Sequence, residues 1–345
     1  MSYRMKRTLF LLGDINFLGV EDATGLFDRV KPALAGADMV FANLECCLFD
    51  APADYAERRG FYAPARLGSA LADLGVDAVG VANNVNIGAA AITASLATLD
   101  GLGIAHTGAG PDQEAARRPA VVERNGLRFG VLQRTAVYWQ NGHVAGPRGP
   151  GVATIPGHTA YRPVIEHGHT LTRPGVPPEV VTWADREGRE RLAADIARLR
   201  EEADVVVASC HWGLRREVLA YQREYAHAAV DAGADIVFGH GPHAPLAIEH
   251  YKGRPIFYGS GGFSFQQEHN GRQLTHWTGL MVKVELDGPR IAGISFAFVK
   301  RNDANQTVLS PPAGQAEELR LLVTASAALG TRLTVAGDRV TVEAA

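Results

Sequence analysis

The stretch Asp235-Ile236-Val237-Phe238-Gly239-His240-Gly241-Pro242-His243 joins an apolar run to two histidines set apart by glycine and proline. A short apolar run bounded by turn formers reads as a strand buried on both faces, as in parallel sheets. In open α/β sheets, ligands collect at the carboxyl ends of the strands. Polar residues that directly follow such runs are therefore the ones to gather. The same junction recurs as Gly13-Asp14-Ile15-Asn16 after residues 8–12, Asn43-Leu44-Glu45 after 39–43 and Ala82-Asn83-Asn84 after 78–82. It recurs again as Cys210-His211-Trp212-Gly213 after 204–209 and as Gly259-Ser260-Gly261-Gly262 after 255–258.

Between these runs lie segments of helical spacing, at 25–34, 66–74, 89–102, 187–203 and 221–232. In the fourth, Leu192, Ile196 and Leu199 fall on one face. Further strands are expected near Ile104 and at 120–123, 128–133 and 280–286. This alternation is an α/β signature. Residues 140–180 break it: seven prolines, seven glycines and four histidines fall there without periodicity. Such a stretch reads as an irregular lid or binding loop, with a disordered insertion as the alternative. After Pro311-Pro312, residues 316–328 look helical, and 331–335 with 339–342 look like a hairpin around Gly337-Asp338. The expected organisation is one domain over 1–310 carrying the insertion, with residues 311–345 packing on it.

Composition narrows the function. The chain has 345 residues, 46% hydrophobic, and a net charge of −3. That permits a large core and lacks the basic excess of a nucleic-acid binder. Cys46, Cys47 and Cys210 are too few for a disulfide framework, and the adjacent pair lacks the spacing of a zinc or redox motif. A reducing compartment, the cytoplasm, is expected. Met5 to Leu12 could open a secretory leader, but Asp14 interrupts the apolar run at once, so a core strand is the better reading. No run reaches the ~18 apolar residues of a membrane span, and no membrane anchor is expected.

Each strand-end residue alone has a bland reading. Asp14 could cap a helix, Asn83-Asn84 could be a turn, His211 a satisfied half-buried histidine, and His240 and His243 loop residues. Jointly, carboxylates, an amide and three histidines at successive strand ends are what a binuclear Zn, Mn or Fe site requires. Two such cations would acidify a bridging water and clamp substrate oxygens.

The ordered motifs Gly13-Asp14, Asn43-Leu44-Glu45, Ala82-Asn83-Asn84-Val85, His211-Trp212-Gly213 and Gly239-His240-Gly241-Pro242-His243 resemble the CapA (poly-γ-glutamate capsule) family of calcineurin-like metallophosphoesterases. The resemblance runs from about residue 8 to 300. It implies an α/β fold with central β-sheets flanked by helices. It further implies that Asp14, Glu45 and His243 surround one metal, and Glu45, Asn84, His211 and His240 the other, with Glu45 bridging. Asp14, Asn84, His211 and His243 would be the catalytic groups.

Three positions depart from that pattern. The family's third motif ends in histidine where this chain has Val85, and valine can neither stabilise a transition state nor protonate a leaving group. His158 or His250 could supply the proton, the leaving group could need none, or the reaction could have changed. Asn16 stands where phosphoesterases carry a second ligand, and could be a weak ligand or a hydrogen-bond donor behind the ligands; it is also a candidate substrate contact. Gly262 stands where the family usually shows asparagine. Asn83, Arg134, Tyr138, Trp139 and His158 are further candidates to face substrate; simple loop packing is the alternative for Tyr138 and Trp139.

The leading expectation is a metal-assisted hydrolase of an amide or peptide-like compound, γ-glutamyl among them, or of a phosphoester. Its partner is a small-molecule or peptide substrate, and the sequence is silent on oligomeric state. The absence of a Gly-rich P-loop pattern favours an acyl substrate. The alternatives are a metal-independent peptide epimerase, for which Asp14, His211 or His243, Asn84 and even Cys46 offer acid–base groups, and a non-catalytic polymer-binding or biosynthesis partner.

Overall fold

The computed structural model describes residues 6–164, 176–267 and 271–345. Two β-sheets stack face to face. The first has ten strands, and its main path runs Thr331–Ala336, Arg339–Ala344, Arg290–Arg301, Thr278–Asp287, Lys6–Ile15, Met39–Leu44, Ala78–Gly80, Ala105–Thr107. The second has six, in the order Ile248–Tyr251, Arg254–Phe257, Ile236–His240, Val205–His211, Leu127–Thr135, Ala120–Arg124.

Strand alternation builds the layers. Leu9, Leu11, Met39 and Phe41 face an inter-sheet core that they share with Val131, Val205, Val207 and Phe238. Their neighbours Phe10, Leu12, Val40 and Ala42 face the other way, onto a core with Ile92, Leu96 and Leu99 of helix Ala89–Gly101. On the far side, Val206, Ala208 and Val237 pack with Leu192, Ile196 and Leu199 of helix Arg186–Glu202 and with Tyr225 of helix Ala220–Asp231. Burying one such aliphatic or aromatic side chain contributes about 1.5–3 kcal/mol. This helix–sheet–sheet–helix stack is the expected α/β architecture, with central β-sheets flanked by helices. No helix among the described residues is long and apolar enough to cross a membrane.

Register places the strand ends at one level. Asp14 pairs with Asn43, Asn43 with Gly80, and His211 with His240. The parallel strands of both sheets thus present their carboxyl ends together.

The structure departs from expectation in three places and, in a fourth, adds to an expected helix and hairpin. Residues 25–34 form turns and a short 3-10 helix at Lys31–Leu34 rather than one helix, because Gly25 adopts φ +74° and Pro32 restarts the chain. The expected irregular stretch 140–180 contains regular pieces: Gly157–Arg162 and Glu179–Ala184 pair as an antiparallel ribbon. Residues 165–175 lie outside the described residues. The long strand Arg290–Arg301 went unread. Lastly, residues 311–345 extend the first sheet: Arg339–Ala344 pairs with Arg290–Arg301, and Val340 and Val342 enter the inter-sheet core.

Arg134 is also corrected here. It shares the parity of Leu132, which faces the outer helices, whereas Gln133 shares that of Val131 and faces inward. Arg134 is 2% exposed, and its Nη2 lies 2.7 Å from Asp195 Oδ2 in helix Arg186–Glu202. Arg117 binds the same carboxylate at 2.6 and 3.0 Å, and Arg198 also contacts it. Removing one partner of a buried pair strands the other. Asp195→Ala should therefore lower stability by about 3 kcal/mol or more. Urea unfolding reads this loss, while metal content per folded molecule stays unchanged.

Candidate metal centre

The six strand-end residues meet in one site. Asp14 ends the central stretch of Lys6–Ile15, Glu45 follows Met39–Leu44, His211 and His240 close their strands, and Asn84 and His243 sit in the loops beyond. His240 Nδ1 lies 3.5 Å from Asp14 Oδ1, and His243 Nδ1 lies 3.2 Å from Asp14 Oδ2. His243 Nε2 is 3.7 Å from Glu45 Oε1. His211 meets His240 Nδ1 to Nδ1 at 3.0 Å and Asn84 Oδ1 through Nε2 at 2.8 Å.

Among the described residues, two groups could hold a metal ion: Asp14 with His211 and His240, and Asp14 with Glu45 and His243. Within each, the ligand atoms all lie within 4.8 Å of one another. Asp14, rather than Glu45, is common to both. The reason is topological. Asp14 ends a strand paired in parallel with the one that precedes Glu45, and its Oδ1 faces His240 of the other sheet while its Oδ2 faces His243.

The electrostatics fit a cation. Asp14, Glu45, His211 and His240 are buried, and Asp14 Oδ2 and Glu45 Oε2 have no hydrogen-bond partner. Burial, then the neighbouring Asp14 charge, pushes the Glu45 carboxyl well above its ordinary range, and His243 offsets this in part. Burial, then His240, pushes His211 well below the usual histidine range. Burial, then His243, brings His240 down to about 3. Neutral imidazoles are the ligand form of histidine. Facing Nδ1 atoms share at most one proton, and these imidazoles with Asp14 and Glu45 are the residues that would hold a cation. The backbone is adapted as well. His243 takes φ +55°, a strained region for a non-glycine residue, and Gly241 takes φ +115° where a Cβ would meet Trp212 O at 2.9 Å.

An amide network positions these ligands. Asn43 Nδ2 donates to Asp14 Oδ1 at 2.8 Å, and Asn43 Oδ1 accepts from Gln133 Nε2 at 2.8 Å and Asn83 Nδ2 at 3.3 Å. Ser209 Oγ lies 2.9 Å from His240 Nε2 and donates to Gln133 Oε1 at 3.3 Å. A Cβ at Gly80 would sit 1.2 Å from Gln133 Oε1, so glycine makes room for this bridge between the sheets. The sequence reading missed Asn43, Gln133 and Ser209 as positioning residues, although strand parity marks Gln133 as a polar residue facing the inter-sheet core.

Most of the expected substrate contacts lie elsewhere. Asn83 is buried and braces its own loop, accepting from the Val85 and Asn86 amides at 3.3 and 3.1 Å. Asn16 is buried and accepts from Leu18 N at 2.6 Å in a tight turn. Tyr138 is half-buried with its phenol raised by burial, then by Asp185. His158 is exposed on the ribbon, 3.1 Å from Asp185 Oδ2 and stacked on Trp183. His250 contacts Thr331 Oγ1 at 3.2 Å, and Cys46 is buried with its thiol pushed up to about 12. Trp139 touches the site indirectly, donating from Nε1 to Asn84 O at 3.1 Å. A cavity of about 580 Å³ opens over the centre instead. Glu45, Asn84, Val85 and His243 line it together with Phe61, Arg216, Phe265, Leu274, His276 and Trp277. Arg216 and His276 were not anticipated, because neither follows an apolar run.

The profile of the family described as bacterial capsule synthesis protein PGA_cap matches residues 8–267. The chain belongs to this family. A probable polyglutamine synthesis accessory protein of Mycobacterium tuberculosis is 33% identical over 190 residues, covering 52% of this chain and 43% of that relative. The PGA biosynthesis protein CapA of Bacillus subtilis is 45% identical over 74 residues, covering 21% and 20%. An uncharacterized protein of Sinorhizobium fredii is 27% identical over 285 residues, covering 69% and 61%. The match thus spans less than half of the Mycobacterium relative's length. A solved phosphatase structure from Mycoplasma pneumoniae superimposes with a TM-score of 0.49 at 12% identity, covering 91% of this chain and 97% of that one.

In this capsule synthesis family member, the lowered histidines set a pH dependence. Unfolded histidine titrates near ~6.5, and folded His240 near about 3. Between these values the unfolded state binds more protons, so stability is complete above the unfolded value and is lost as pH falls toward the folded one. The urea midpoint of chelated protein should fall as pH drops below about 6.5. His240→Asn should flatten that fall in part, since His143, held down to about 4 chiefly by burial, titrates in the same window. His211→Ala should lower bound transition metal, read by elemental analysis.

Proposed function

We propose that this family member is a metal-dependent hydrolase that cleaves an amide in a peptide-like or γ-glutamyl compound, with Mn, Zn or Fe held as one or two ions. The observation that carries this reading is the Asp14 carboxylate, buried between two ligand groups with one oxygen lacking a hydrogen-bond partner. An amide suits the cavity better than a phosphoester, because Arg216 is the single arginine or lysine among its described lining residues. Its three buried, unpaired thiols suit the cytoplasm.

Asp14 and Glu45 supply negative charge against the cation, His211, His240 and His243 supply neutral imidazoles, and Asn84 adds an uncharged oxygen. A bound divalent cation would acidify water and polarise the scissile carbonyl. Asn43, Gln133 and Ser209 hold Asp14 and His240 in place, and such positioning is typical of metal sites. Val85 cannot deliver a proton to the leaving amine. Among the described residues, His276 is the cavity-lining imidazole outside both ligand groups, exposed and 2.8 Å from Thr275 Oγ1 through Nδ1, and it takes the general-acid role.

Chelation should abolish turnover of an amide panel, and Mn, Zn or Fe should restore it. Full turnover of chelated protein would overturn the reading and favour an epimerase. His276→Gln should lower kcat by about 10²-fold while metal content stays unchanged. An unchanged kcat at full metal content would take His276 out of the mechanism.

A further inference from the structure

The cavity wall says more about the substrate than the metal ligands do. Val85, Phe61, Phe265, Leu274 and Trp277 make it apolar. Two positions that depart from the family pattern contribute to this wall. Val85 lines it directly. At Gly262, a Cβ would stand 3.5 Å from the indole of Trp277, in ordinary contact, so this position backs the indole of the wall. Opposite this character stands Arg216, which follows closely on His211-Trp212-Gly213. Glu318 of helix Ala316–Ala327 clamps it, with Arg216 Nη1 2.7 and 2.9 Å from the two carboxylate oxygens. Both contacts use Nη1, and a guanidinium carries five N–H donors in a fixed fork. Glu318 orients the arginine and also offsets its charge.

We propose that this cavity selects a small substrate with an aromatic or branched apolar group and a single free carboxylate: the apolar group lies against Trp277, Phe265 and Val85, and the carboxylate meets Arg216. This rests on the hydrolase reading for the reaction but not for the binding. A homopolymer of acidic residues is the poorer fit. It brings one negative charge per residue to a wall with one arginine, already shared with Glu318, and it leaves the aromatic surface unused. Matching a carboxylate to a positioned guanidinium gives discrimination that an apolar pocket alone cannot, because the unpaired group is left without a partner.

The test measures binding by calorimetry in chelated protein, so that no metal can supply the affinity. The probes are N-acetyl-L-phenylalanine, its C-terminal amide and γ-glutamylglutamate. The acid should bind at least about tenfold more tightly than the amide, as expected for one charge-assisted pair, and more tightly than γ-glutamylglutamate. Arg216→Gln should erase the acid-to-amide preference. Gly262→Asn should weaken both phenylalanine probes alike and leave their ratio intact. Equal binding of acid and amide, or tighter binding of γ-glutamylglutamate, would overturn the proposal. Turnover by metal-loaded protein is scored separately: selective binding without hydrolysis would sink the hydrolase reading and leave the substrate class standing.

Discussion

The rest of the structure depends on how the Asp14 carboxylate is held without water. It is buried at the end of a central strand beside a second buried carboxylate, Glu45. Each would be costly alone, because an unpaired charge in a low-dielectric interior is destabilising. One Asp14 oxygen is met by Asn43 and faces His240, and the other faces His243. Glu45 keeps an oxygen without a hydrogen-bond partner and moves toward its protonated form. The site therefore stores an excess of acceptors and lone pairs that a divalent cation answers.

The two stacked sheets make this arrangement possible. Parallel strands end together, so a carboxylate from one sheet and imidazoles from the other arrive at the same level without long loops. Gln133 ties the layers, donating to Asn43 and to Ala82 O while accepting from Ser209. A fully satisfied buried amide of this kind fixes relative positions more sharply than apolar contacts do. It explains why the strand residue opposite, Gly80, has no side chain.

Much of this was legible in the sequence, and for a physical reason. Strands buried on both faces write continuous apolar runs, and the polar residue that ends each run stands out against them. Asp14, Glu45, Asn84, His211, His240 and His243 were found that way. Arg134 was misplaced because its strand-end position was considered without its parity; Leu132 on the same face already pointed outward. The ribbon arms Gly157–Arg162 and Glu179–Ala184 were hidden by surrounding prolines and glycines, and the Gly157–Arg162 arm is exposed throughout, so it carries no inward apolar alternation to read. His276 and Arg216 sit in connections whose local sequence has no period. Only the tertiary fold brings them to the cavity, and Arg216 is oriented by Glu318 from 102 residues away.

The apolar wall and the buried charges act on each other. Apolar side chains around a charged centre exclude water, and electrostatic interactions there strengthen as the local dielectric falls. A histidine at position 85 would bring its own hydration and its own proton to that wall, while valine brings neither. In the proposed reaction the proton donor, His276, stands at the rim of the cavity rather than at position 85. Gly262 lies against the Trp277 indole, which forms part of the wall. The two departures from the family pattern are then one change rather than two: polar positions beside the metal ligands are given up for apolar surface, and polarity is restored at the rim by Arg216 and His276.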